Sequence, residues 1–89
     1  MSNIGIWRSL PLYMLVYEEL RRLAPNPGDH VTDVRLFEAV RRRAKQMGFE
    51  VSFSDFLKAL MILEVHGYVN VRSTSEKADT GRVIELVKR

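Results

Sequence analysis

The chain has 89 residues, with 14 Lys/Arg against 11 Asp/Glu and no cysteine. That length suits one domain over 1–89, with an N-terminal arm over 1–9, and leaves little room for a multi-group catalytic pocket. The missing cysteine excludes disulfides, thiolate chemistry and Cys-based zinc sites. Hydrophobic residues make up 46% and charged residues 28%, a globular balance rather than a disordered one. No apolar run nears the roughly 18 residues of a membrane span. The opening residues lack the basic-then-apolar order of a signal peptide, so a cytoplasmic protein with no membrane role is expected. Four Asn/Gln in all (Asn3, Asn26, Gln46, Asn70), beside many Arg and Glu, lean towards a thermophile.

The first helix is expected from Leu10 to Leu23, with Ser9 as its N-cap and Pro11 in its first turn. Ala24-Pro25-Asn26-Pro27-Gly28-Asp29 stops it. His30-Val31 forms a very short strand. The second helix runs from Asp33 to Met47, capped by Thr32 and ended by Gly48. A third starts at Ser54, its N-cap, and runs to His66, with Gly67 as its stop. Tyr68–Arg72 and Arg82–Val87 alternate with period two and make a β-hairpin. Ser73 to Gly81 is its polar tip.

At 100° per residue each helix has one core face. These faces are Leu12, Leu15, Val16, Leu20 and Leu23; then Leu36, Phe37, Val40, Ala44 and Met47; then Phe56, Leu60 and Leu63, with Leu57 at the edge. Val69, Val71, Ile84 and Leu86 cover the remaining side.

Little here suits catalysis. The two histidines, His30 and His66, fall in a turn and at a helix end. Glu18 and Glu19 are helix neighbours that point about 100° apart. No phosphate loop and no metal-ligand spacing is present. The expectation is a non-enzyme with no cofactor and no metal.

Charge is uneven. Residues 1–48 carry +3, residues 49–71 carry −2, and residues 72–89 carry +2. Arg35, Arg42 and Lys45 fall on one stripe of the second helix, opposite its core face, with Arg41 and Arg43 flanking. A second apolar stripe, Leu10, Tyr13, Met14 and Tyr17, lies on the first helix away from its core. With Trp7 it is the expected interface of a homodimer, the alternatives being cover by the chain's own arm Ile4-Gly5-Ile6-Trp7 or by a different protein.

Helix, short strand, helix, turn, helix and hairpin is the order of a winged helix-turn-helix. Leu60-Met-Ile-Leu63-Glu64-Val-His-Gly67-Tyr68-Val69 looks like the end of its third helix. Arg82-Val83-Ile84-Glu85-Leu86 matches its return strand. Over residues 10–87 the chain resembles the small archaeal winged-helix proteins, mostly DNA-binding regulators or chromatin-associated proteins. The resemblance implies an α+β fold of three helices followed by a two-stranded wing, and double-stranded DNA as partner. It implies that Ser52, Ser54, Asp55 and Lys58 begin the reading helix, and that Arg72, Lys77 and Arg82 form the wing. Phosphate contacts then come from Arg35, Arg42 and Lys45 and from the wing. One feature departs from that pattern. The outward face of the third helix is Asp55, Lys58, Ala59, Ile62 and Val65, with Met61 near its edge. Its apolar part suits a protein partner better than a hydrated groove, so an interaction module is the alternative reading.

Overall fold

A computed structural model of the chain describes the backbone of residues 4–73 and 81–87, and the side chains of residues 12–72 and 81–87. The architecture is α+β. Its elements are α1 (Ile4–Leu23), β1 (Val31–Thr32), α2 (Asp33–Gln46), α3 (Phe53–Val65), β2 (Val69–Ser73) and β3 (Arg82–Leu86). The three strands form an antiparallel sheet in the order β1-β3-β2. The expected hairpin is β2 and β3, and the short strand, expected at His30-Val31 and found at Val31–Thr32, adds a third strand to it. Val31 pairs with Ile84 and Thr32 with Val83, so the short strand before α2 closes on the far edge of β3. On the other edge the register runs from Val69–Leu86 to Ser73–Arg82.

The helix ends follow from cap chemistry. Thr32 has extended φ/ψ, and its hydroxyl accepts the Arg35 N–H, so α2 starts where the sequence indicates. α3 starts one residue earlier than expected, and Ser54 is not its cap. Ser52 holds that place: its hydroxyl accepts the Asp55 N–H, and the Asp55 carboxylate accepts the Ser52 N–H. That reciprocal pair satisfies two otherwise orphaned donors, which Ser54 cannot do. α2 and α3 end alike. Gly48 and Gly67 have φ of 95° and 82°, a left-handed conformation that a side chain resists. Each lets the next N–H turn back, Phe49 onto the Ala44 carbonyl at 3.0 Å and Tyr68 onto the Leu63 carbonyl at 2.9 Å.

α1 departs most from the sequence reading. It begins at Ile4, so Ser9 lies inside it rather than at its N-cap position, and most of the expected arm is helical. A capping residue is only a local preference, and extending a formed helix costs little per residue.

The core lies between the helices and one face of the sheet. Val16, Leu20, Leu36, Val40, Phe56, Val69 and Ile84 are fully buried. Phe37 of α2 stands against Phe53 and Phe56 of α3, with ring centres 5.1 and 5.4 Å away. That aromatic contact fixes the start of α3 against α2. Two expectations about faces change, and one burial was not expected. Met47 is exposed, because it is the α2 C-cap rather than a core position. Ala59 is buried rather than outward, between Phe56 and Leu63 on the inner face. Glu19 is 1% exposed, although it is a carboxylate on the core side of α1.

Candidate nucleic-acid interface

Arg35, Arg42 and Lys45 project from the exposed side of α2. They do not form one uninterrupted stripe. Arg35 and Arg42 share a shallow hollow with Arg22 of α1, and Glu38 sits among them. Lys45 sits with Arg41 in a second hollow, beside Phe49, Glu50 and Val51 in the turn before α3. One helix face thus serves two neighbourhoods. Arg22 and Arg41 were not singled out as contacts from the sequence. The signal for Arg22 was weak, because only the crossing of α1 and α2 brings it beside Arg35.

Among the described residues, Arg35, Arg41, Arg42, Lys45 and Lys58 have no carboxylate within 4.0 Å. The wing cations differ. Arg72 Nη2 donates to Glu85 Oε1 at 2.9 Å, a diagonal pair across β2 and β3. Arg82 Nη1 reaches Asp33 Oδ2 at 3.4 Å, and that carboxylate is 3% exposed. Arg82 is thus a strut between β3 and the start of α2, not a free wing cation. Lys77 lies outside the described residues. Arg43, which flanks the α2 core face, is also committed: its Nη1 donates to the buried Glu19 Oε2 at 3.2 Å. Arg22 holds the other oxygen of that carboxylate.

At the α3 start, Ser52 and Asp55 are exposed but occupied with each other. Ser54 and Lys58 are exposed on the first two turns. One carboxylate, Asp55, and one cation, Lys58, therefore lie near a helix N-terminus whose dipole favours anions.

No protein-family model matches the chain, and no curated protein matches it in sequence.

The remaining expected residues lie elsewhere. Tyr13, Met14 and Tyr17 of α1 line a hollow of about 250 Å³, together with Glu18, Arg21, Leu63 and Tyr68. The side chains of Trp7 and Leu10 lie outside the described residues. Tyr17 meets Tyr68 edge-on at 5.5 Å, and the Arg21 guanidinium sits 5.9 Å from the Tyr17 ring centre. Leu63 and Tyr68 were not expected there. The glycine turn at Gly67, which folds Tyr68 back over Leu63, was the available signal. On α3, Met61, Ile62 and Val65 are 59%, 40% and 77% exposed.

Among the described residues, no cluster of three or more His, Asp or Glu is placed to hold a metal. No described helix is long and apolar enough to cross a membrane. His30 Nδ1 lies 3.5 Å from the Gly28 carbonyl in its own turn, and His66 is the α3 C-cap.

Proposed function

We propose that this chain is a double-stranded-DNA-binding protein of the winged-helix kind, a transcriptional regulator or chromatin-associated factor rather than an enzyme. What carries the reading is the sorting of its cations. The arginines on β2 and β3 are held by carboxylates, whereas among the described residues Arg35, Arg41 and Arg42 on the outer side of α2 are not. An unpaired, solvated guanidinium can exchange its counterion for a phosphate with little internal loss. The order of three helices and a small antiparallel sheet is the one that presents α3 to a groove in winged-helix proteins. On this reading Arg35, Arg42 and Lys45 grip the backbone, with Lys58 and Ser54 closest to the bases. Arg72 and Arg82 shape the wing rather than bind through it. The −2 charge of residues 49–71 and the apolar outer face of α3 favour shape and phosphate recognition over base readout.

Fluorescence anisotropy of a duplex, repeated over a salt series, tests this. Binding should be micromolar or tighter at low salt, and log K should fall with log salt by about 0.9 per phosphate contact. Arg42→Glu with Lys45→Glu should weaken binding at least about tenfold with the fold kept. No binding at low salt, or a double variant that binds like wild type, overturns the reading.

A second reading, a protein-interaction module, is favoured by the exposure of Met61, Ile62 and Val65 on α3. Ile62→Asp separates the two: it should abolish protein capture under this reading and spare DNA affinity under the first.

A further inference from the structure

We infer that the α1 hollow and the end of α3 form one surface, and that its occupant is a second copy of this chain related by a two-fold axis. The sequence shows an apolar stripe on α1. Folding adds to it Leu63, from the inner face of α3, and Tyr68 just beyond the end of that helix. The turn at Gly67 sends Tyr68 back across Leu63, and Tyr68 meets Tyr17 of α1 edge-on. Leu63 and Tyr68 thereby become part of the wall that Tyr13, Met14 and Tyr17 begin. Met14 is 54% exposed there. Exposed apolar side chains in one place mark an interaction site.

Charge identifies the occupant. The rim of the hollow carries one carboxylate, Glu18, and one guanidinium, Arg21, three residues apart on α1. Both are exposed, and among the described residues neither has an ion-pair partner. A two-fold interface makes residue i of one copy meet j of the other, and j meet i. Two α1 helices laid antiparallel across that axis put Glu18 of each copy against Arg21 of the other. Nucleic acid would be repelled by Glu18 and gains nothing from Met14. Arg35, Arg41, Arg42 and Lys45 of α2 line other hollows, so a dimer through α1 leaves two copies of the α2 surface free.

The test is sedimentation equilibrium of the full chain without DNA. The wild type should dimerise at micromolar concentration. Glu18→Arg and Arg21→Glu each set like charges face to face and should raise the dimer Kd at least about tenfold. The double variant E18R/R21E restores opposite charges and should return Kd to within about threefold of wild type. A wild type that stays monomeric at about 100 μM overturns the inference, whether the face is then covered by the chain's own first residues or by another protein. A dimer indifferent to both single reversals, or not rescued by the swap, overturns it equally. DNA titration of the α2 variants is read separately, so failure of one proposal is distinguishable from failure of the other.

Discussion

Arg43 of α2 reaches across to α1 and donates to the carboxylate of Glu19, Nη1 to Oε2 at 3.2 Å. Glu19 is buried, while Arg43 and Arg22, its two partners, keep roughly half of their side-chain surface in water. The asymmetry decides what a substitution costs. Removing Glu19 leaves two arginines that can turn to solvent. Removing both arginines strands a buried charge. Glu19→Leu should therefore cost at most about 2 kcal/mol, and Arg22→Ala with Arg43→Ala about 3–5 kcal/mol. Urea unfolding of the two variants measures this. A double arginine variant no worse than Glu19→Leu would show that the carboxylate does not depend on its partners.

Gly81 stands against the same class of contact on the other side of α2. A Cβ at residue 81 would lie 2.5 Å from Asp33 Oδ1. That carboxylate cannot easily move: it accepts the Val34 N–H at 2.7 Å and faces Arg82. Gly81→Ala should destabilise by about 1–3 kcal/mol. In an Asp33→Ala background the same substitution should cost clearly less, because the clashing atom is gone. A double-mutant cycle with no coupling would mean that the glycine is not required by Asp33.

What the sequence makes legible is local. Thr32 before Asp33, and Gly48 and Gly67 after the helices, announce element ends through chemistry confined to a few residues. The core faces follow from 3.6-residue periodicity, and most of them are buried. What remained hidden depends on contacts far apart in sequence. Glu19 sits three and four residues after Val16 and Leu15, on the core side, and that spacing was the available hint of burial. Its partner Arg43 is 24 residues away. Likewise Arg72 and Arg82 look like free wing cations until the register of β3 sets Glu85 beside one and the start of α2 sets Asp33 beside the other. The α2 cations were legible as exposed, but their division between two hollows was not.

The two serines before α3 separate a cap from a bystander. Ser52→Ala should cost about 1 kcal/mol, because the Asp55 N–H loses its acceptor at the helix start. Ser54→Ala should change stability by less than about 0.5 kcal/mol. Thermal unfolding of both variants is sufficient. Equal effects, or a larger one at Ser54, would contradict the capping box.

The division between held and unheld cations also predicts a pattern in salt dependence. Arg72 already has an acceptor in Glu85, so binding a phosphate would mean giving up an ion pair for another. Arg42 and Lys45 have no such pair among the described residues and lose only mobile counterions. Each phosphate contact adds about 0.9 to the slope of log K against log salt. Arg42→Gln and Lys45→Gln should each lower that slope by about 0.9, whereas Arg72→Gln should leave it unchanged within error. Glu85→Gln is the informative companion. It releases Arg72, so the slope should rise towards one further contact, and Arg72→Gln should then matter. If Arg72→Gln in the wild-type background lowers the slope as much as Arg42→Gln does, the strand cations bind DNA directly and the sorting argued from their ion pairs is wrong.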